Sequence, residues 1–352
     1  MNNRERFLAC VKGEKTDRVP VFPLLMFLPA DRFGITYKEF ATNGRSMAAA
    51  QLFTQNKFDL DAITACSDAF RVSADLGGKM AYPEDKPPYV IDPIISSAAD
   101  LDKLGRPDPG DKKGRMADRV LAVEEMVRGI AGKAAVLGWV DMPFTEACSV
   151  CGITNFMMMI SDNPVLAHRL LAFLTKVVTD FSLAQVKAGA DMIGCGDAAS
   201  SLISAEMYRE FALPYEKEVI AAVHKAGCLV KLHICGNTTA LLEDMAGSGA
   251  DLFNVDHLVP LSRAKEVYGS RGKCYKGNLN PVTDIMNASP KDCVKKAREC
   301  IEIAKGSSYM LSGGCEIPAE TKDEVMKAFC EAPKSTASTK YEVQGTKLKQ
   351  KK

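Results

Sequence analysis

The sequence predicts an α/β protein whose repeating part is a closed (β/α)8 TIM barrel, and three observations support this prediction. From about residue 133 onward, short apolar runs alternate with longer amphipathic stretches at the period of a β/α unit. Polar residues follow directly after several apolar runs, as they do at the carboxyl ends of barrel strands. The repeating part extends over about 220 residues, which fits a closed barrel better than an open sheet.

Six strands and five helices are predicted in this part of the chain. The strands are 134–140, 191–196, 228–234, 251–256, 273–278 and 308–313, and the helices lie near 161–188, 204–226, 238–248, 289–304 and 320–331. Three helix starts have a capping residue, namely Ser204, Asn237 and Ser289, and Pro290 occupies the first turn of one helix. Helices with such starts and an apolar face are strongly indicated.

The first hundred residues differ from the rest. They contain a predicted helix near 2–13, a strand-like apolar run at 19–25 and a proline-rich passage at 82–93. We expect this N-terminal extension to cap the barrel mouth and to help line it. Residues 1–333 are predicted to form a single domain, and 334–352 a disordered, lysine-rich tail, because that stretch is polar and has no apolar periodicity.

Composition and charge exclude several classes of function. The 352 residues are 47% hydrophobic and 25% charged with a net charge of +1, so neither nucleic acid nor a membrane is an expected partner. The chain has no apolar run long enough for a membrane span, and its N-terminus lacks the apolar core of a signal peptide. A cytoplasmic protein with 12 reduced cysteines is therefore expected.

Three potential metal ligands follow two of the predicted strands. His233 and Cys235 lie two residues apart in LHICGN, and residues at this spacing in a strand point to the same side. Cys315 follows a second short apolar run, in SGGCEIP. One imidazole and two thiolates form the ligand set of a catalytic zinc site with a fourth position open to substrate. Most of the other cysteines are better explained as small buried hydrophobic residues.

Four further residues are candidates for supporting roles. Glu146 and Asp197 could act as a fourth ligand or as an acid/base pair, although Asp197 could equally cap a helix. Glu146 stands in an otherwise apolar stretch, where a charge is costly unless it is paired or liganded. Asn237 and Asn278 are candidate cofactor-site residues that would orient the ligands by hydrogen bonds, or they close turns.

Two other patterns have a stronger structural than functional interpretation. Cys148 and Cys151 have redox or metal spacing, but they lack the second pair of a zinc ribbon and begin a predicted helix. The methionines 157–159 could line a hydrophobic cofactor surface, but flexible core packing explains them more simply.

The order of short motifs along the chain resembles the uroporphyrinogen decarboxylase superfamily over about residues 3–331. The motifs are DRVPVFP (17–23), SD (67–68), MPFTEA (142–147), GDAASSLIS (196–204), PYEKEVI (214–220), LHICGN (232–237), KGNLNP (276–281) and SGGCEIP (312–318). Within this superfamily the chain looks most like the cobalamin-linked zinc methyltransferases, which include the methylcobalamin:coenzyme M methyltransferases.

This resemblance separates two branches by their site residues. The decarboxylases need no metal, and arginines after the first strand grip the carboxylates of their tetrapyrrole. Here that stretch is apolar, with only Arg32 further on, although Asp68 matches the aspartate of the decarboxylase motif. Carboxylates are usually held by bidentate arginine. The missing arginines and the three metal ligands together favour the methyltransferase branch.

The resemblance implies a zinc-dependent methyl transfer between a corrinoid co-substrate and a small molecule. In one direction, a zinc-activated thiol would accept the methyl group from the corrinoid. In the other, an O-methyl or N-methyl compound would donate its methyl group to Co(I). The sequence does not choose between these directions. The chain lacks the Asp-x-His-x-x-Gly motif of corrinoid carriers, so cobalamin would arrive on a partner corrinoid protein or free. The alternatives are a tetrapyrrole decarboxylase and a non-catalytic corrinoid-binding protein. The sequence does not decide between a monomer and a homodimer.

Overall fold

Seven parallel strands form the central sheet of the computed structural model, which describes residues 1–334. In chain order the strands are β1 (Ala62–Thr64), β2 (Met80–Ala81), β3 (Tyr89–Val90), β4 (Ala135–Asp141), β5 (Met192–Gly196), β6 (Leu229–His233), β7 (Leu252–Asn254), β8 (Cys274–Leu279) and β9 (Tyr309–Gly313). The central sheet has the order β1-β4-β5-β6-β7-β8-β9, and β2 and β3 form a separate antiparallel pair. Every strand of the central sheet is fully or almost fully buried, as expected when helices cover a parallel sheet.

Helices connect the strands and cover the sheet. They are α1 (Asn3–Val11), α2 (Phe27–Phe33), α3 (Tyr37–Thr42), α4 (Gly44–Phe58), α5 (Arg71–Asp75), α6 (Ala98–Lys103), α7 (Arg115–Ile130), α8 (Pro143–Cys151), α9 (Ile153–Asp162), α10 (Pro164–Lys187), α11 (Ala205–Phe211), α12 (Leu213–Lys225), α13 (Leu242–Ala246), α14 (Leu261–Ala264), α15 (Pro290–Ala304) and α16 (Asp323–Glu331). Short 3₁₀ turns occupy Ala198–Leu202 and Thr239–Leu241, and π-helical turns occupy Lys265–Gly269 and Pro281–Met286.

The N-terminal run 19–25 lies between the two edge strands of the sheet. The amide of Phe22 donates to Leu311 of β9, and the amide of Leu311 donates to Pro20, at 3.0 and 2.8 Å. On the other side the amide of Asp61, next to β1, donates to Val21 at 3.1 Å. The run therefore takes the place of an eighth strand in a TIM-barrel-like fold, although it forms only isolated bridges rather than the regular strand that the sequence suggested.

The six predicted strands are all present, but several helix predictions need correction. The helix predicted at 161–188 begins only at Pro164, because proline lacks an amide hydrogen and Asn163 caps the new helix, which separates α10 from α9. The helix predicted at 204–226 is divided into α11 and α12 around Ala212, and that at 238–248 is a 3₁₀ turn followed by α13. The three-residue β1 is too short for the alternation of apolar residues to reveal it.

Two other expectations concern the ends and the surface of the chain. The predicted lysine-rich tail lies outside the described residues, apart from Lys334. Among residues 1–334, no helix combines the length and the apolarity that a membrane crossing requires. The predicted mouth cap stays a prediction, although the chain just beyond the run 19–25 does reach the mouth, since the amides of Met26 and Phe27 donate to Glu316.

Asp61 joins the N-terminal run to the sheet. Its fully buried carboxylate accepts hydrogen bonds from Arg6 at 2.6 Å, from Arg18 at 2.8 Å and from the amide of Val21 at 2.7 Å. Arg6 is itself buried. Removing the carboxylate would leave buried charge and a buried amide without a partner, which is more costly than losing an exposed ion pair.

We predict that Asp61→Ala lowers the free energy of unfolding by about 3–5 kcal/mol, measured by urea denaturation. Asp102→Ala, which removes an ion pair between two exposed side chains, Asp102 and Arg169, is the matched control and should cost less than about 1 kcal/mol. Equal losses in the two variants would show that Asp61 does not hold the N-terminal run in place.

Candidate metal centre

His233, Cys235 and Cys315 meet at the carboxyl ends of the strands. The Nε2 atom of His233 lies 3.0 Å from the Sγ of Cys235 and 3.8 Å from that of Cys315, and the two sulfurs are 3.6 Å apart. His233 is buried, whereas both cysteines are partly exposed. The three residues form the one group of three or more potential metal ligands within 4.8 Å of one another among residues 1–334.

The spacing of these three atoms suits a tetrahedral zinc ion. With ordinary zinc–sulfur and zinc–nitrogen bond lengths, a tetrahedral site places two sulfurs about 3.8 Å apart and a sulfur and a nitrogen about 3.6 Å apart. The two distances to Cys315, 3.6 and 3.8 Å, lie close to these values, and the 3.0 Å between His233 and Cys235 is shorter. Since the group supplies three ligands rather than four, it has the composition of an open rather than a closed zinc site.

The protonation of the two thiols favours metal binding. Hydrogen bonds from Cys235 and then from His233 lower the pKa of the Cys315 thiol to about 3. The same contact with Cys315, together with burial, raises the pKa of Cys235. The pair therefore holds one thiolate before a metal arrives, and thiolate is the form that ligates zinc.

Two residues at and just beyond the end of β7 hold the two ligand loops in place. The carboxylate of Asp256 accepts from the amides of Gly236 and Leu258, at 3.0 and 2.9 Å. Asn254 donates to the carbonyl of Gly314, beside Cys315, at 3.0 Å. Sequence reasoning missed both residues; their only signal was a polar residue at or just after the end of a strand, as in DLFNVD.

The two asparagines predicted at the site have different surroundings. The side-chain amide of Asn278 donates to the carbonyls of Asp256 and Val259, at 3.2 and 2.7 Å, so it supports the loop that in turn holds Gly236. Asn237 is exposed, and its side chain accepts from the amide and hydroxyl of Thr239, as in a turn. Neither asparagine hydrogen-bonds to a ligand side chain in the described part of the chain.

Asp197 connects the loops that follow β4 and β5. It is fully buried, and its two oxygens accept from the amide and hydroxyl of Thr145 and from the hydroxyl of Ser200, at 2.7 to 2.9 Å. These bonds give Asp197 a clear architectural role. It does not belong to the ligand group among the described residues, and its predicted role as a fourth ligand or acid/base partner stays a prediction.

Glu146 lies in a second cluster of buried charges. One of its carboxylate oxygens, Oε2, is buried without a hydrogen-bond partner among residues 1–334. Burial, reinforced by nearby Asp141, raises the pKa of Glu146 well above its usual value. Burial also raises the pKa of Asp141 to about 7, although Arg71 donates to it at 2.8 Å. A carboxyl group in this state is typical of a general acid or base.

Two lysines fill the barrel interior among the strands, and sequence reasoning missed both of them. Lys231 is two residues before His233, and its buried ammonium lies over the ring of Trp139, 4.4 Å from the ring centroid. Lys276 donates to the carbonyl of Phe22 at 2.7 Å. Burial lowers the pKa of Lys231 to about 8 and that of Lys276 well below its usual value. A lysine inside an apolar strand was the available signal.

Comparison with known proteins identifies the family. The family model described as uroporphyrinogen decarboxylase (URO-D) matches residues 2–336. The chain belongs to the uroporphyrinogen decarboxylase family. This confirms the resemblance that the motifs indicated.

Curated relatives within this family have two different activities. A uroporphyrinogen decarboxylase from Chloroherpeton thalassium is 28% identical, over 94% of this chain and 96% of the relative. A methylated-thiol–coenzyme M methyltransferase from Methanosarcina mazei is also 28% identical, over 97% of this chain and 92% of the relative. Identity alone therefore does not choose between decarboxylation and methyl transfer.

The fold is shared with a solved structure over nearly its whole length. A methyltransferase from Methanosarcina mazei superimposes with a TM-score of 0.86 at 24% identity, covering 95% of this chain and 98% of that one. The predicted α/β barrel-like architecture of the family is thus confirmed.

The remaining sequence patterns lie in packed surroundings. Cys148 and Cys151 are both buried on α8, and burial raises the pKa of both thiols, as expected for cysteines used in packing. Of the three methionines on α9, Met159 is buried, Met157 is half-buried and Met158 is exposed. This matches one face of a helix packed on the core.

We predict that Gly314→Ala weakens zinc binding about 10- to 100-fold, because the new Cβ would lie 2.3 Å from the amide nitrogen of His257 and push the Cys315 loop away from the loop that follows β7. Competition with a chromophoric chelator measures the affinity. Gly105→Ala, whose Cβ would meet no atom within 4 Å, is the control and should bind zinc normally. Unchanged affinity in Gly314→Ala would mean that the close approach of these loops does not position Cys315.

We predict that Glu146→Gln flattens the pH dependence of stability. The folded protein raises the pKa of Glu146, so it retains a proton that the unfolded chain releases, and its stability falls as the pH rises toward the folded-state pKa. Glutamine removes this loss, so the variant should gain stability relative to the parent in urea unfolding as the pH rises above the ordinary glutamate pKa of 4.5. Glu218→Gln serves as the surface control. Parallel curves for Glu146→Gln and the parent would disprove the raised pKa.

Proposed function

We propose that this protein is a zinc-dependent methyltransferase that moves a methyl group between a corrinoid and a small molecule, with a thiol as the favoured acceptor. The observation that carries the proposal is the convergence of one imidazole nitrogen and two cysteine sulfurs within 4.8 Å at the carboxyl ends of the strands. That position is where enzymes with a TIM-barrel fold carry their active sites. A methylated-thiol–coenzyme M methyltransferase among the relatives supports the same chemistry.

The residues present suggest how the reaction would be arranged. Zinc held by His233, Cys235 and Cys315 would supply Lewis acidity that keeps a thiol ionised near neutral pH. The substrate thiolate would attack the methyl group of methyl-Co(III), forming a sulfur–carbon bond while the cobalt keeps the electron pair of the broken bond as Co(I). The two cysteine ligands are soft thiolates that would donate charge to the zinc, so the sulfur of the bound substrate would stay nucleophilic. Glu146 remains the candidate acid or base.

The competing proposal is decarboxylation of a tetrapyrrole, and the surroundings of Asp68 weigh against it. Asp68 is the residue that matches the decarboxylase motif. Its side chain is fully buried, and its two oxygens accept from Arg115 at 2.8 and 2.9 Å and from Ser67 at 2.6 Å. Asp68 is therefore held in a buried ion pair with Arg115.

The arginines expected of a decarboxylase are also not available. Arg32 donates to Asp323 at 2.7 Å and lies at the contact of α2 with α16. Arg71 is buried and pairs with Asp141. Binding several carboxylates would require guanidinium groups that are free to form bidentate contacts. This favours the methyltransferase proposal.

We predict that the purified protein contains about one zinc per chain, and that His233→Ala and Cys315→Ala reduce this to below about a tenth after dialysis. Each variant that loses zinc should also lose the ability to demethylate methylcobalamin with a panel of thiols. The change in methyl-cobalt absorbance measures this reaction. Cys148→Ala, which removes a buried thiol of the packed core, should keep both zinc and activity.

Other results would redirect the assignment. Zinc without thiol activity would turn the search to methyl ethers and methylamines as donors to Co(I). Absence of zinc, together with carbon dioxide release from uroporphyrinogen, would establish the decarboxylase instead. Zinc bound with four protein ligands and no methyl transfer would indicate a non-catalytic corrinoid-binding protein.

A further inference from the structure

Histidine–aspartate pairs lie at both ends of β7. At the amino end, Nε2 of His224 lies 2.8 Å from Oδ2 of Asp251. At the carboxyl end, Nδ1 of His257 lies 3.0 Å from Oδ1 of Asp256. The side chains of His224 and His257 are exposed to a similar degree, 37% and 31%. Since β7 runs parallel to β6 and lies beside it, the second pair shares its end of the barrel with the candidate metal ligands.

The Asp256 carboxylate connects His257 to the loop of Cys235. Its Oδ1 contacts the imidazole, and its Oδ2 accepts from the amide of Gly236, beside Cys235, at 3.0 Å. Asp256 is buried, so water competes little for either contact. The imidazole therefore has a fixed position relative to one of the two cysteine ligands.

The backbone of His257 also contacts the loop of Cys315. Gly314, beside Cys315, approaches it so closely that a Cβ on this glycine would lie 2.3 Å from the amide nitrogen of His257. The side-chain amide of Asn278 donates to the carbonyl of Asp256 at 3.2 Å and helps to fix the same turn. The partly exposed imidazole thus stands between the two loops that carry the cysteines.

Asp256 also determines which nitrogen of the His257 imidazole can accept a proton. A carboxylate beside Nδ1 favours the tautomer whose hydrogen is on Nδ1, because that hydrogen is donated to the carboxylate. The lone pair is then on Nε2. A histidine that a carboxylate orients in this way is the usual general base of nucleophilic enzymes, since imidazole exchanges protons near neutral pH.

The charges of the neighbouring elements leave Asp256 as the ionic partner of the ring. Besides Asp256, the ionisable groups on the adjoining strands and loops are Cys235 after β6, Lys276 and Asp284 on and after β8, Cys315 and Glu316 after β9, and Arg263 on α14. Lys276 donates to the carbonyl of Phe22, and Arg263 pairs with Glu243 and Glu266. The two cations therefore have other partners, and Asp256 compensates the charge that the imidazole gains on protonation.

We propose that His257, oriented by Asp256, accepts the proton that the substrate thiol loses when it binds at the metal centre; this inference rests on the proposed methyl transfer. The S–H bond breaks, its electron pair stays on sulfur, and the proton moves to Nε2 directly or through one water. The imidazolium releases the proton to solvent after the methyl group has moved. The complete reaction then converts a thiol and methyl-Co(III) into a methyl thioether, Co(I) and a proton.

The test counts the protons released when 2-mercaptoethanol binds to the zinc-loaded protein without corrinoid. Calorimetric titrations near pH 7 in phosphate and in Tris, which differ in their heat of ionisation, give this number. We expect about half a proton or less from the parent, because His257 retains the rest, and about one from His257→Asn. Asparagine can still donate to Asp256 in place of Nδ1 but has no equivalent of Nε2.

His224→Gln is the matched control, because it removes the imidazole of the pair at the other end of β7 while its amide can still donate to Asp251. It should release as many protons as the parent. Zinc content should be unchanged in both variants. With methylcobalamin, His257→Asn should lower kcat/KM for the thiol about 100-fold near pH 7, and added imidazole should restore part of the activity.

The outcomes separate this inference from the proposed function. If the parent and His257→Asn release equal numbers of protons while thiol-dependent demethylation proceeds, His257 is not the acceptor and the methyltransferase assignment stands. Loss of zinc in His257→Asn would mean that the ring holds the ligand loops, and this too would overturn the inference. If the zinc-loaded parent neither binds the thiol nor demethylates methylcobalamin, the proposed function itself fails.

Discussion

The whole site depends on the curvature of the sheet. β6 and β9 are separated by two other strands, so in a flat sheet their ends would lie about 14 Å apart, three times the spacing of neighbouring strands. The sulfurs of Cys235 and Cys315, which follow these strands, are 3.6 Å apart. Only a strongly curved sheet with inward-facing strand ends can bring them so close. The N-terminal run around Val21, held by Asp61, joins the two edges and maintains that curvature.

Curvature also explains why so much charge is buried near the site. Lys231, Lys276, Asp141 and Glu146 all lie inside or at the rim of the barrel, where water is scarce. A buried charge is tolerated when another charge, a hydrogen bond or an aromatic ring compensates it, as Arg71 does for Asp141 and Trp139 does for Lys231. The interior is therefore an electrostatic environment that can tune a metal and its ligands, rather than an inert core.

Relatives of this chain carry out two chemistries on one family scaffold, so the residues of the site have to distinguish between them. Asp68, which matches the decarboxylase motif, forms a buried ion pair with Arg115. The group of His233, Cys235 and Cys315 offers two sulfurs and one nitrogen, which is a ligand set suited to a soft metal. Function here follows from the site rather than from the fold.

The sequence by itself determined the strands from β4 to β9 and the family, because periodicity and the order of motifs are local properties, and it singled out the three residues proposed as metal ligands. It did not reveal the separation of α9 from α10, the short β1, or the pairing of the run 19–25 with both edges, since these depend on distant partners. Only the tertiary structure showed that the Asp197 carboxylate accepts hydrogen bonds from Thr145 and Ser200, whereas one carboxylate oxygen of Glu146 is buried without a partner in the described chain. The two carboxylates look alike in sequence and are both buried, and only their hydrogen bonding, which depends on residues distant in the chain, distinguishes them.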